Sequence, residues 1–281
     1  MPEVHASGGA RIRYDDVGQG ETSLLLIPGW CSRRDIFRAL VPRCARHHRV
    51  LCVDLRGHGD SEQGEGDFDS GTVLDDLLAV LNTSGAQRAV PVSVSTSGFW
   101  ALDLFRELGV HRVPHLVFLD WLVTEPPPAY SAILRGLMSE RWGRARDELL
   151  ENWANGVANE DILRTLRVDM REVSEEMWAR AAREITASYT RHGTPLRALA
   201  RLRRAPTALH LYAQPDTQDY LEEQVAFSAG HPWFHVMKLP AVSHLPSLEV
   251  PDLVAAGIDA LVSGQRTHMR TGPPPGAAPQ G

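Results

Sequence analysis

Residues 91–100 read PVSVSTSGFW, and no other stretch of the chain is as informative about its fold. The apolar run at 89–94 is typical of a buried strand, and a helical pattern begins just after it. Ser95 lies at the turn between them, as the serine of a nucleophile elbow does, where the residues two places before and after it must be small. Ser93 and Ser97 meet that requirement without the usual glycines. A serine-rich turn that only caps a helix looks similar, so this assignment needs support from other segments.

Strands and helices alternate on both sides of this turn. Apolar runs predict strands at 24–27, 49–55 and 116–119, and the alternation returns with ALHLYAQP and HVMKLPA. Such alternation is typical of a doubly wound, mostly parallel sheet with helices on both faces. We therefore predict an α/β fold.

The segment from Pro126 to about Arg204 breaks this alternation, because it is helical by periodicity and contains no convincing strand. We predict an α/β core at residues 1–125 and 205–265, with a helical cap inserted at 126–204. The Pro/Gly-rich tail at 266–281 is predicted to be disordered.

Three further segments support the elbow and together predict the α/β-hydrolase fold. Pro28-Gly29-Trp30 follows the first strong strand, so the backbone N–H groups of Trp30 and Thr96 could converge on one negative oxygen. The loop VDLRGHGDS matches that fold, and we assign its His58 a structural role. His244 follows the last strand, which gives the chain order serine, acid, histidine.

Two aspartates compete to orient His244. Asp216 follows the penultimate strand, where most α/β-hydrolases carry the acid, and it also has a simple explanation as a turn residue after Pro215. Asp120 ends the preceding strand, where an unpaired carboxylate beside buried residues is costly. We favour Asp120 and keep Asp216 as the alternative.

The same residues resemble one branch of this fold, the cofactor-independent 2,4-dioxygenases that cleave 3-hydroxy-4(1H)-quinolones and related quinaldines. The likeness runs from about Leu24 to Leu261. Its most specific parts are LLLIPGWC, PVSVSTSGFW, FLDWL before a proline-rich turn, ERW with Trp153 downstream, and HPWF leading to SHLPSLEVPD. DWL and HPWF are not general hydrolase motifs.

The resemblance implies that His244, paired with Asp120, is a general base, and that Ser95 hydrogen-bonds the substrate without attacking it. It also implies that Trp153 lines the pocket and that the backbone at Trp30 helps to stabilise an oxyanion. The implied substrates are a small aromatic N-heterocycle and O2, and the implied products are carbon monoxide and an N-acylanthranilate. No cofactor or metal is implied.

Aromatic residues near this site are assigned by their position. Trp121 and Tyr130 are further candidates for the pocket wall, whereas Trp142 and Trp178 are expected in the core.

The chain departs from the family pattern at three positions near the substrate. Ser32 stands where the family has a histidine after Trp-Cys, and Val94 and Thr96 stand where histidines flank the elbow serine. Two other classes therefore stay open. One is a serine hydrolase, an esterase or thioesterase with Ser95 as nucleophile, and the other is a non-catalytic ligand-binding relative.

The composition of the chain limits the partners, metal sites and cellular locations that we expect. With 43% hydrophobic and 23% charged residues, the chain is typical of a globular protein. A net charge of −6 argues against nucleic acid or an anionic membrane as partner. Three cysteines without a CxxC pair predict neither a zinc site nor a disulfide framework. The N-terminus has no secretory signal pattern, so we expect a cytoplasmic protein, while its oligomeric state is left undetermined.

Overall fold

The computed structural model describes residues 1–264 of the 281-residue chain. The tail that we predict to be disordered, residues 266–281, lies outside the described residues. No helix within 1–264 is both long enough and apolar enough to cross a lipid bilayer.

Within the described residues, eight strands form one sheet at the centre of the fold, in the order β1-β2-β4-β3-β5-β6-β7-β8. They are β1 (Glu3–His5), β2 (Arg11–Val17), β3 (Thr22–Ile27), β4 (Arg49–Val53), β5 (Arg88–Val94), β6 (His115–Leu119), β7 (Thr207–Tyr212) and β8 (Phe234–Lys238). β1 and β2 pair antiparallel, as do β2 and β4, and all other neighbours are parallel. The predicted doubly wound, mostly parallel sheet is confirmed.

The central strands are almost wholly apolar because helices cover both faces of the sheet. Leu24–Ile27 of β3 and Leu116–Leu119 of β6 are fully buried. The prediction missed β1 and β2, whose charged residues alternate with buried ones, since the antiparallel edge of the sheet meets water on one side.

Eleven α-helices are found within residues 1–264. They are α1 (Val41–Cys44), α2 (Ser70–Thr83), α3 (Gly98–Arg112), α4 (Pro128–Leu137), α5 (Trp142–Ala154), α6 (Glu160–Arg167), α7 (Glu175–His192), α8 (Pro195–Ala200), α9 (Gln218–Gly230), α10 (Pro246–Glu249) and α11 (Pro251–Val262).

Helices α4 to α8 all lie between β6 and β7 in the chain. The longest of them, α7, has clear start and stop signals. Ser174 caps it by accepting a hydrogen bond from the Met177 N–H at 3.2 Å, and Gly193 ends it at a φ of 74°.

The parallel arrangement gathers the carboxyl ends of the strands at one edge of the sheet. β3 lies between β4 and β5 in the sheet. The connection from β3 to β4 and the connection from β4 to β5 therefore run in opposite directions, and a crevice opens at that point. The loops after β3, β5, β6, β7 and β8 all reach this edge, and they carry the candidate site residues.

Candidate active site

Ser95 lies in a sharp turn between β5 and α3, with a φ of +57° that side-chain-bearing residues rarely adopt. The flanking serines are fully buried against neighbouring strands. The Ser93 hydroxyl donates to the Val117 carbonyl at 3.2 Å, and the Ser97 hydroxyl donates to the Val94 carbonyl at 2.6 Å. This packing explains why small residues occupy both places. The elbow geometry that the sequence predicts is therefore present.

The loop after β3 approaches the elbow and is held there by His58. Cys31, at a φ of +61°, donates its N–H to His58 Nε2 at 3.0 Å, and His58 Nδ1–H donates to the Arg56 carbonyl at 2.8 Å. Burial lowers the pKa of His58 to about 4, so its ring stays neutral in this tautomer. His58 is therefore structural, as expected.

Two backbone donors lie free at this turn. Within residues 1–264, neither the Trp30 N–H nor the Thr96 N–H donates a hydrogen bond, and both residues line the same cavity as Ser95. The Trp30 ring packs against Trp100 and Phe68, with ring centroids 5.1 Å and 6.2 Å away. This packing fixes the position of the loop.

A buried pair, His244 and Asp120, faces the elbow from the ends of β8 and β6. His244 Nδ1 lies 2.6 Å from Asp120 Oδ2, while Asp120 Oδ1 accepts from the N–H groups of Ala213 at 2.6 Å and Gln214 at 2.8 Å. Because a carboxylate accepts, Nδ1 carries the ring proton and Nε2 presents a lone pair. Among residues 1–264, Nε2 has no hydrogen-bond partner.

Asp216, the alternative acid, is not brought to His244. Its carboxylate is largely exposed and pairs with the Lys238 ammonium, and His244 Nδ1 is occupied by Asp120. Asp216 lies instead on the wall of the outer cavity described next.

Two adjoining cavities meet at His244. The inner cavity is the more enclosed of the two, and the outer cavity opens more widely to the surface. Six residues line both: Ser95, Thr96, Tyr130, Leu149, Trp153 and His244. The Trp153 indole stacks on the His244 imidazole, with ring centroids 4.3 Å apart and planes 16° from parallel.

The inner cavity is lined on the sheet side by the three positions that depart from the family pattern, Ser32, Val94 and Thr96. Its opposite wall is apolar and comes from α4, α5 and α7. Most residues of that wall were not predicted from the sequence as site residues: Leu134, Leu137, Leu149, Trp178, Ala181, Ala182 and Ile185. Trp178 is buried, as expected, but its ring also faces the cavity. The stripe at positions 178, 181, 182 and 185 on α7 was the available signal, since helical spacing puts these residues on one face.

Trp121 does not line either cavity, and this part of the prediction was wrong. Its side chain is fully buried on the other side of the β6 loop, where it packs against Phe99 and Phe118 at centroid distances of 4.9 Å and 5.0 Å. Asp120, the residue before it, faces the outer cavity and adopts a left-handed φ of +49°. Trp142, expected in the core, is only partly buried, and the Arg146 guanidinium covers its ring at 4.9 Å.

Comparisons with known proteins identify the family. The model of the alpha/beta hydrolase family matches residues 24–257. A 1H-3-hydroxy-4-oxoquinoline 2,4-dioxygenase of Pseudomonas putida is 37% identical over 89% of this chain and 95% of its own length. The chain belongs to the quinolone 2,4-dioxygenase family of the α/β-hydrolase fold. Another relative, 2-heptyl-3-hydroxy-4-quinolone dioxygenase AqdC2 of Rhodococcus erythropolis, is 34% identical over 94% of this chain and 99% of its own length.

Solved structures of quinolone 2,4-dioxygenases superpose closely on this one. An AqdC variant in complex with its substrate, described as the basis for ring cleavage of the Pseudomonas quinolone signal, has a TM-score of 0.89 at 30% identity, covering 94% of this chain and 99% of its own. A thermophilic esterase from Thermogutta terrifontis, at 22% identity and a TM-score of 0.76, shares the fold alone.

Family membership confirms the predicted activity class. The chain is an oxidoreductase of the 2,4-dioxygenase type, and this assignment is favoured over the serine hydrolase and the non-catalytic relative.

Proposed function

We propose that this quinolone 2,4-dioxygenase cleaves a 3-hydroxy-4(1H)-quinolone with O2, using His244 and Asp120 as its base. The observation that carries the proposal is the free Nε2 lone pair of His244 at the junction of the two cavities, with Nδ1 bound to Asp120 at 2.6 Å. Ser95 lines both cavities beside His244, where its hydroxyl can donate to a bound substrate.

His244 Nε2 removes the proton of the ring 3-hydroxyl, and Asp120 stabilises the imidazolium that forms. Trp153 supports the same charge, because an aromatic face stacked on a cation attracts it. The negative oxygen left on the substrate is placed near the N–H groups of Trp30 and Thr96, and the Ser95 hydroxyl donates a further hydrogen bond.

The anion is electron-rich enough to reduce O2 directly, which forms a C–O bond at ring carbon 2. The distal peroxide oxygen then attacks the C4 carbonyl. Both C–C bonds to carbon 3 break and the O–O bond breaks, so carbon 3 leaves as CO. The two atoms of O2 end in the acyl and carboxyl groups of an N-acylanthranilate, and His244 returns its proton to the product.

We propose that residues 126–204 act as a cap that keeps water from the bound anion. The support is the wall that α4, α5 and α7 contribute to the inner cavity. A dry site strengthens every electrostatic interaction within it and protects the peroxide from side reactions.

The inner cavity also supports a finer assignment, a 2-alkyl substituent on the ring. Its cap wall consists of Leu, Ala, Ile, Met and Trp side chains around Leu137 and Ile185 together with Tyr130, and none of these cap residues is charged. Burying each methylene there contributes about 0.8 kcal/mol, or roughly a fourfold lower KM per added carbon.

The test is dissolved-oxygen uptake by purified, chelator-treated protein supplied with 3-hydroxy-4(1H)-quinolones that carry hydrogen, methyl, pentyl or heptyl at carbon 2. We expect O2 uptake and CO release to match substrate consumed, and KM to fall along the series. If none of these substrates leads to O2 uptake, the proposed reaction is contradicted. Uptake with a KM that does not vary with chain length would contradict only the alkyl site.

We also propose that the protein works in the cytoplasm and binds no nucleic acid or membrane. Three buried free thiols, Cys31, Cys44 and Cys52, support a reducing compartment. Cell fractionation followed by activity measurement tests this assignment.

A further inference from the structure

Asp120 lies at a turn where the chain leaves the edge of the sheet. Asp120 adopts a left-handed φ of +49°, and its N–H donates to the Leu211 carbonyl at 2.9 Å, so its own anchors all come from β7 and the loop that follows. Residues 121–123 then leave the sheet edge. A non-glycine residue in this conformation persists only where the surroundings hold it.

Tyr220, in the first turn of α9, holds that segment through its hydroxyl. The hydroxyl donates to the Trp121 carbonyl at 2.6 Å and accepts from the Val123 N–H at 3.0 Å. The Tyr220 side chain is buried, so water does not replace either bond.

His210 of β7 and Gln224 of α9 contact the same segment. His210 Nε2 accepts from the Trp121 N–H at 3.2 Å, and its Nδ1–H donates to Gln224 Oε1 at 2.5 Å. The Gln224 amide in turn donates to the Tyr220 carbonyl at 3.1 Å. Burial lowers the pKa of His210 to about 4, so the ring remains neutral and the direction of these bonds is fixed.

We propose that Tyr220, His210 and Gln224 are positioning residues for the base: through the backbone of Trp121 and Val123 they hold Asp120 in line with His244 Nδ1. The proposal rests on the function proposed above for Asp120 and His244. None of the three residues lines either cavity. Any effect that they have on the reaction therefore passes through Asp120. A shift of about 1 Å in a catalytic group can lower the rate by about 100-fold.

The chain offers a matched control in Tyr212. Its hydroxyl is also buried but has no hydrogen-bond partner within residues 1–264, and its ring packs edge-on against Tyr220 at a centroid distance of 5.1 Å. Tyr220→Phe and Tyr212→Phe therefore remove the same atom from the same cluster. Only the first change breaks hydrogen bonds to the Asp120 segment.

The experiment measures kcat, KM, the pH dependence of kcat/KM and Tm for both variants by O2 uptake and calorimetry. For Tyr220→Phe we expect kcat to fall by about 10- to 100-fold with KM nearly unchanged. We also expect the acid limb of kcat/KM to move to lower pH, since a displaced carboxylate supports the imidazolium less. Tyr212→Phe should match the wild type. A second variant, Gln224→Met, keeps the side-chain volume and should move kcat and the acid limb in the same direction.

A shift in the acid limb of kcat/KM distinguishes a positioning role of Tyr220 from a role in packing alone. The other charged groups near the His244 loop are Asp216, which is paired with Lys238, and Glu249, which accepts from the Val242 and Ser243 N–H groups. None of them is altered by these variants. A lower Tm for Tyr220→Phe with kcat and the acid limb unchanged would overturn the proposal, as would equal losses in Tyr212→Phe. If Asp120→Asn keeps the wild-type rate, the proposed base itself is wrong, which is a distinct result.

Discussion

Asp120→Asn tests the proposed base most directly. The two backbone N–H groups of Ala213 and Gln214 hold Oδ1 as an acceptor, so in the variant they keep the amide oxygen there and turn the amide NH2 toward His244. Nδ1 must then accept, the ring proton moves to Nε2, and the lone pair that takes the substrate proton is lost.

The size of the effect follows from the same geometry. A carboxylate and an imidazolium with charges about 4 Å apart interact by about 4 kcal/mol at an effective dielectric constant of about 20, which corresponds to a factor of about 1,000. A wrong histidine tautomer in a comparable hydrogen-bonded pair lowers kcat by about 10,000-fold. We therefore expect kcat to fall by about 1,000- to 10,000-fold, while KM changes little because Asp120 does not contact the substrate.

The assay is the initial rate of O2 uptake with a 2-alkyl-3-hydroxy-4(1H)-quinolone, with CO release measured in parallel. Asp216→Asn is the matched control, and we expect it to stay near the wild-type rate because its carboxylate is exposed and pairs with Lys238. The reasoning is refuted if Asp120→Asn stays within about tenfold of the wild type, or if Asp216→Asn loses as much.

Three other changes have defined outcomes. Ser95→Ala should lower kcat/KM by about tenfold, the value of one hydrogen bond to the substrate, and a loss of about 10,000-fold in the O2 assay would instead indicate a nucleophile. Gly98→Ala would place its Cβ 2.3 Å from the Trp121 ring, so we expect urea denaturation to show a loss of about 1–3 kcal/mol despite alanine's higher helix propensity, and unchanged stability would contradict this packing. Burial lowers the pKa of His58 and His210 from 6.5 to about 4. Between these values the unfolded chain binds protons that the folded chain does not, so the stability present above pH 6.5 should be lost progressively as pH falls toward 4. Urea midpoints that are constant from about pH 7 to pH 5 would contradict that expectation.

The aromatic residues around the site show where sequence reasoning fails. Trp121 and Trp153 both lie near predicted site segments, yet only Trp153 reaches the cavity. Trp121 packs instead against Phe99 and Phe118, and no local pattern encodes those contacts. Trp178 is buried in the core and also lines the inner cavity. Its contact with the cavity depends on how the cap helices pack, which the local sequence does not encode.

The choice between Asp120 and Asp216 shows the same limit. Both aspartates follow a strand that ends at the same sheet edge, so either could reach His244 by topology alone. Sequence reasoning favoured Asp120 from the cost of burying an unpaired carboxylate. The structure decides between them through long-range contacts: the Ala213 and Gln214 N–H groups bind Asp120, and Lys238 binds Asp216.

The alternation of strands and helices, the elbow at Ser95 and the order of serine, acid and histidine can all be predicted from the amino-acid sequence. These features depend on periodicity and on local turn chemistry, which a few neighbouring residues encode. The packed fold is needed to show which aspartate binds His244, which face of α7 lines the inner cavity and how α9 contacts the segment after Asp120. Each of these depends on contacts between residues far apart in the chain, and such contacts form only when the whole sheet and its helices have packed.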